Sequence, residues 1–101
     1  MSKLLTPQQL SALPDLYSTE NLKDPICHFK LFTPDSNWSW YIIEVDQESL
    51  LCFGYVIGHE SELGYFTLQE LEEVQGSLDL PIELDIHYTP TLLSTVKGET
   101  L

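Results

Sequence analysis

Three apolar segments joined by two short polar turns constrain the fold of this 101-residue chain more than any other feature. The segments cover 26–32, 38–45 and 50–57, and they are rich in the aromatic and β-branched residues that favour strands. The turns at 33–37 and 46–49 are too short for a parallel crossover, so neighbouring strands must run antiparallel. The sequence therefore predicts an antiparallel meander at the centre of the fold.

Alternation of apolar and polar residues also predicts which side chains share a face. In the first strand, Cys27, Phe29 and Leu31 would point the same way. A further strand is predicted over 82–88. Its inward side chains would be Ile82, Leu84, Ile86 and Tyr88, and its outward side chains Glu83, Asp85 and His87.

Threonine caps predict where the helices begin. Thr6 and Gln9 have the spacing of a capping box, and Thr67 and Glu70 repeat it. A third short helix is predicted over 91–96. Because this chain mixes a meander with short helices, we expect an α+β fold: one acidic domain, 1–101, with two or three short helices packed at one face or end of the sheet.

The segment between the third strand and the second helix carries weaker signals. Glycines bound the stretch 58–64, which is predicted as a loop. Tyr65 and Phe66 would add a short strand after it. We expect the second helix to end at Gly76, since glycine commonly terminates helices.

The cysteines and the first residues predict a cytoplasmic protein. Cys27 and Cys52 are too few for a disulfide framework, so we expect two reduced, buried thiols. The N-terminal segment has one lysine and no long apolar core, so we expect no signal peptide. The apolar runs are far shorter than the roughly 20 residues of a membrane helix.

The charge is strongly acidic: 16 acidic residues stand against four lysines and no arginine, for a net charge of -12. Proteins that bind nucleic acid or anionic lipid present lysine and arginine, so neither class is expected. Between Leu31 and Val96 there is no lysine or arginine at all. That interval holds Asp35, Glu44, Asp46, Glu48, Glu60, Glu62, Glu70, Glu72, Glu73, Asp79, Glu83 and Asp85. Solubility alone explains such a surface, and so does a basic partner.

The residues with coordination or acid–base chemistry form no recognised motif. The metal-ligand candidates are Cys27, His28, Cys52, His59 and His87. They lack the spacing of a zinc site, although Asp85 with His87 and His59 would be the ligand set of a small metal-binding protein. Phosphate loops, nucleophile elbows and dinucleotide fingerprints are absent from the sequence. We therefore predict no enzyme activity, no metal and no cofactor.

Five sequence blocks together resemble a known family. They are Leu13-Pro14-Asp15-Leu16-Tyr17, Asn37-Trp38-Ser39-Trp40-Tyr41, Phe53-Gly54-Tyr55-Val56-Ile57-Gly58, Glu62-Leu63-Gly64-Tyr65-Phe66-Thr67-Leu68-Gln69-Glu70-Leu71 and Leu80-Pro81-Ile82-Glu83. The chain resembles, over nearly its whole length, a small domain-of-unknown-function family of plasmids, phages and integrative elements, found near antirestriction genes. In one place it departs from the pattern, since Leu84 replaces a basic residue.

The resemblance extends to the type II-A anti-CRISPR proteins, which inhibit Cas9. It implies an anti-defence protein that binds Cas9, with or without guide RNA. The charge of -12 argues against contact with DNA or membranes and, because it opposes self-association, favours a monomer. The contact residues would be Glu60, Glu62, Glu70, Glu72, Glu73, Glu83 and Asp85. The alternatives are a mobile-element module that binds another basic nucleic-acid-processing protein, and a small metal-binding protein. We expect the aromatic residues Trp38, Trp40, Phe53 and Tyr65 to pack in the core.

Overall fold

The computed structural model describes residues 3–73 and 80–99. Over those residues the chain forms three short helices and seven strands. In order they are α1 (Pro7–Ser11), β1 (Ile26–Cys27), β2 (Phe29–Phe32), β3 (Ser39–Val45), β4 (Leu51–Ile57), β5 (Ser61–Thr67), α2 (Leu68–Glu73), β6 (Glu83–Leu84), β7 (Thr91–Leu92) and α3 (Leu93–Glu99).

The central sheet has the strand order β5-β4-β3-β2-β6, and every neighbouring pair is antiparallel. The predicted meander and the α+β class are therefore confirmed. A second, two-stranded sheet pairs β1 with β7. The meander places β5 at one edge of the sheet and the two-residue β6 at the other.

The first predicted strand is divided at His28, so the prediction of one continuous strand is wrong. The His28 N–H still donates to the Ile42 carbonyl oxygen of β3 at 2.8 Å. The residues before it, β1, do not continue the β2–β3 ladder and pair with β7 instead. As a result Cys27 packs in a different core cluster from Leu31. The two residues do not share a face.

The segment after β4 is more regular than its glycines suggest. The predicted loop over 58–64 is a three-residue turn followed by β5, which pairs with β4 from Ser61 to Thr67 without a register shift. Gly64 lies opposite Gly54 in this ladder. Gly64 is therefore part of a cross-strand glycine pair and does not end a loop, so the prediction of a loop over 58–64 is wrong.

The predicted strand over 82–88 extends only over Glu83–Leu84. The Asp85 carboxylate accepts the His87 N–H at 3.0 Å, and the Tyr88 N–H donates to the Asp85 carbonyl oxygen at 3.2 Å. These bonds close a turn, which leaves Ile86 81% exposed. The inward position predicted for Ile86 is wrong because a local aspartate turn replaces the strand.

Side-chain caps fix the helix starts as predicted. Thr6 and Gln9 form the complete capping box of α1, and Thr67 Oγ1 accepts the Glu70 N–H at 3.1 Å at the start of α2. The third helix begins at Leu93, two residues later than predicted, because β7 occupies the preceding positions. The end predicted for the second helix, Gly76, lies outside the described residues.

The two faces of the central sheet carry separate hydrophobic clusters. The first includes Leu31, Trp40, Ile42, Val45, Cys52 and Phe66, with Leu10 of α1 and Leu68 and Leu71 of α2. The second consists of Cys27, Tyr41, Ile43, Tyr55, Leu93 and Val96. Helices α1 and α2 thus cover one face, and α3 covers part of the other.

The described helices are all short. Among residues 3–73 and 80–99, none has the length and apolar character needed to cross a bilayer.

Candidate functional site

The predicted contact residues Glu60 and Glu62 lie at one end of the edge strand β5. Glu60 belongs to the β4–β5 turn, where its carbonyl oxygen accepts the Gly58 N–H at 3.0 Å. Glu62 lies opposite Val56 in the ladder. Both glutamates are exposed, so their charges face solvent at the edge of the sheet.

A second group, Glu70, Glu72 and Glu73, lies on α2, which follows β5 directly. Glu70 and Glu73 are exposed. Glu72 is half-buried, and its carboxylate accepts the Lys3 backbone N–H. The helix therefore presents two solvent-facing carboxylates. It begins directly after Thr67, which lies five positions beyond Glu62 in the extended strand, or about 17 Å along it.

The third group, Glu83 and Asp85, lies at the opposite edge of the sheet. Four inter-strand spacings separate β5 from β6, which amounts to about 19 Å. Asp85 Oδ2 is 4.0 Å from Lys30 Nζ, so its charge is partly compensated. The seven predicted contact residues therefore form three separate groups.

Glu44, counted in the sequence among the surface acids, is buried, with 2% of its surface exposed. Its carboxylate accepts the N–H groups of Tyr17 at 2.7 Å and Thr19 at 2.9 Å, and also the Thr19 hydroxyl. A β-bulge between Ile42 and Glu44 rotates the side chain onto the face of the second cluster. The carboxylate ties the loop after α1 to this face.

The loop after α1 forms one wall of a cavity of about 430 Å³ on the sheet face that carries the second hydrophobic cluster, called here the second face. The Tyr17 ring is 6.2 Å from that of Tyr65, which is 5.1 Å from that of Phe53. Tyr17 and Tyr65 are 53% and 55% exposed, and Leu63 beside them is also exposed. We call these four residues, Tyr17, Phe53, Leu63 and Tyr65, the aromatic pocket.

Charged side chains of both signs surround the aromatic pocket. Glu20, Glu44, Lys23 and Lys97 line it. Partial desolvation and, after it, the neighbouring Tyr17, Glu20 and Glu44 raise the pKa of the Tyr65 hydroxyl. The phenol therefore stays neutral at physiological pH, and the pocket offers aromatic surface and hydroxyl groups to a ligand.

The sequence predicted neither the pocket nor the role of Glu44. Tyr65 was expected in the core, but α3 covers only part of the second face and leaves this ring exposed. Trp40 is buried as predicted, and Trp38 stacks on it at 5.9 Å. The one available signal was Tyr17 itself, an aromatic residue in the mostly polar stretch 15–25.

The metal-ligand candidates do not assemble. Over the described part of the chain, no three histidine, cysteine, aspartate or glutamate side chains form a group that could hold a metal ion. His59 packs edge-on against the Trp38 ring at 5.5 Å. Both thiols are fully buried, and burial raises the pKa of Cys27 and Cys52 to about 12, which disfavours the thiolate a metal would require.

Comparisons with known proteins give one result. No curated protein and no solved structure matches the chain. One family model, described as a protein of unknown function (DUF2958), matches residues 4–96. This match includes the edge strand, the aromatic pocket and Glu44. The chain therefore belongs to the DUF2958 family of proteins of unknown function.

Proposed function

We propose that this protein is a non-enzymatic anti-defence protein that inhibits Cas9 by direct binding. The observation that carries the proposal is the pair Glu60 and Glu62, exposed at the edge strand of a chain with a net charge of -12. Such an edge is suited to a basic surface, because charge complementarity accelerates encounter and selects the partner. The protein would act as a cytoplasmic monomer.

Cas9 offers basic surfaces of the required kind. It holds the guide–target heteroduplex in a positively charged channel and reads the adjacent DNA motif with arginines. The resemblance of the sequence blocks to anti-CRISPR proteins of mobile elements favours Cas9 over other basic nucleic-acid-processing proteins. The same resemblance favours a phage or plasmid as the carrier.

The three acidic groups are unequal candidates for the contact. Asp85 lies beside Lys30, and Glu72 is engaged by the Lys3 backbone. Glu60 and Glu62 are exposed and adjoin the free edge of β5. We therefore assign the contact to the β5 end, with α2 as its extension, and give the β6 group no part in it.

A cleavage assay with Cas9 and guide RNA, read beside a gel shift for target DNA, tests this proposal. Loss of both cleavage and DNA binding supports an inhibitor that blocks the basic channel. Loss of cleavage with DNA still bound supports Cas9 as the partner but moves the contact to the nuclease region. No effect on either contradicts the proposal and leaves another basic protein as the partner to seek.

Charge-reversed variants test which acidic group makes the contact. We expect Glu60→Lys with Glu62→Lys to abolish inhibition, while Glu83→Lys leaves it unchanged. Glu48→Lys is a matched control, because Glu48 is exposed on the turn between β3 and β4, at the opposite end of the β4–β5 ladder from Glu60 and Glu62. Equal inhibition by all of these variants would contradict an electrostatic contact at β5.

A further inference from the structure

The outer backbone groups of β5 can be identified from the hydrogen bonds at its two ends. Gly58 N–H donates to the Glu60 carbonyl, and Leu68 N–H donates to the Leu50 carbonyl. In an antiparallel ladder, directly bonded pairs alternate with non-bonded pairs. The bonded positions on β5 are therefore 62, 64 and 66, and the N–H and C=O groups of Leu63 and Tyr65 point away from β4.

This free edge lacks most of the features that usually block an exposed strand. Proteins protect such edges with proline, lysine, bulges or a covering element. β5 has seven residues, contains neither proline nor lysine, and pairs with β4 without a bulge. No described strand lies beyond it. Over residues 3–73 and 80–99, the protective features that remain at this edge are the acidic residues Glu60 and Glu62.

Those acidic residues determine which strand could pair there. A second copy would bring its own Glu60 and Glu62 to the same edge, and two chains of charge -12 would repel each other. A segment carrying lysine or arginine would instead gain opposite-charge cross-strand pairs. The charge of the edge thus favours a basic partner over a dimer.

The two faces of β5 differ, and this difference specifies the side chains of the partner further. Leu63 and Tyr65 point to the face with Tyr17 and the aromatic pocket, whereas Glu62 points to the other face, as does Phe66. Because side chains alternate along a strand, an incoming segment would place every second residue on each face. Apolar residues fit the pocket face and basic residues fit the Glu62 face.

We propose that β5 binds its partner by strand addition, taking an extended segment of the partner in which basic and apolar residues alternate. The N–H and C=O groups of Leu63 and Tyr65 would form the new ladder, and the aromatic pocket would receive one apolar side chain. This inference rests on the proposed function for the basic character of the partner. It adds the segment, its conformation and its sequence pattern.

The test uses a defined probe, a peptide of about ten residues that alternates lysine with valine and is long enough to span the strand. Amide spectra of the ¹⁵N-labelled protein and hydrogen exchange are recorded with and without the peptide. We expect the Leu63 and Tyr65 amides to exchange fast in the free protein and to become protected on binding. The control peptide alternates glutamate with valine and should not bind.

Two modifications separate backbone pairing from side-chain contact. Leu63→Pro removes an outward N–H without touching the β4 ladder, and Leu63→Ala removes the side chain but keeps that N–H. We expect the proline variant to weaken peptide binding by about tenfold more than the alanine variant, since it loses one ladder hydrogen bond. If the proline variant does not fold, the same comparison can be made on the unaltered protein with two modified peptides. One carries N-methyl groups on its odd-numbered amides and the other on its even-numbered amides, so that only one of them blocks the amides that face β5.

The peptide experiments can succeed or fail independently of the Cas9 assay. Protection of Leu63 and Tyr65 by the lysine peptide, together with sensitivity to one N-methyl register only, supports strand addition even if Cas9 is unaffected. Absence of peptide binding, protection elsewhere, or equal effects of both N-methyl registers overturns strand addition, even if Cas9 is inhibited.

Discussion

Glu44 shows how one buried carboxylate can shape a surface. Its oxygens accept two backbone N–H groups and a hydroxyl from the loop that carries Tyr17. Tyr17 itself has a φ of 70°, a left-handed conformation that is unfavourable for a bulky residue and needs such support. The exposed Tyr17 of the aromatic pocket is therefore held in place by the Glu44 carboxylate, which has almost no exposed surface.

The first prediction concerns this anchor. Glu44→Ala leaves the N–H groups of Tyr17 and Thr19 without their acceptor, so we expect the free energy of unfolding to fall by about 1–3 kcal/mol. Urea unfolding measures the loss. Glu48→Ala removes an exposed glutamate from the neighbouring turn and should change the free energy by less than about 0.5 kcal/mol. Equal effects of the two substitutions would contradict the anchoring role.

The second prediction concerns the buried thiols. Because burial raises the pKa of Cys27 and Cys52 from 9.0 to about 12, the folded state retains protons that the unfolded chain releases. Stability should therefore be fully present below pH 9 and fall as the pH rises towards 12. A thiol reagent at pH 8 should label two cysteines in denaturant and none in the folded protein. Rapid labelling of the folded protein would contradict this burial.

The strands differ in how well their sequences predicted them. β3 and β4 are buried on both faces or nearly so, and their aromatic and β-branched composition gave a strong signal. β5 gave a weak one, because an edge strand needs fewer apolar residues and this one carries Glu62 and Gly64. The alternation over 82–88 was misleading, since the Asp85 turn is closed by local bonds that periodicity does not detect.

The third prediction uses two glycines that face each other in the ladder. A Cβ at Gly54 would lie 2.0 Å from the Tyr41 carbonyl oxygen, a backbone atom that cannot move without distorting β3. A Cβ at Gly64 would have no atom within 4 Å. We expect Gly54→Ala to lower the thermal unfolding midpoint markedly and Gly64→Ala to leave it nearly unchanged. A similar midpoint for both variants would contradict the β3–β4 geometry.

The candidate site was predictable only in part. Net charge and the lack of arginine predict an acidic surface, which fits either solubility alone or a basic partner, but the grouping of the carboxylates depends on which strands form the two edges. The aromatic pocket depends on the bulge before Glu44 and on how far α3 reaches across the sheet. Both are tertiary features that alternation and composition do not encode.

The fourth prediction follows from the charge of the molecule as a whole. Sixteen acidic residues against four lysines make the folded state repel itself, and salt screens that repulsion. The thermal midpoint should rise as sodium chloride is added. Glu60→Gln with Glu62→Gln should raise the midpoint in low salt and reduce the further gain from salt. A midpoint that falls or stays constant with salt would contradict this explanation.

The decisive measurement is the affinity of this protein for the Cas9–guide RNA complex in low and high salt. We predict tight binding that weakens as salt rises, loss of most of that affinity in the Glu60→Lys, Glu62→Lys double variant, and retention in Glu48→Lys. Absence of binding by the unaltered protein, or affinities that are the same for all three proteins and at both salt concentrations, would contradict the acidic edge of β5 as the Cas9 contact.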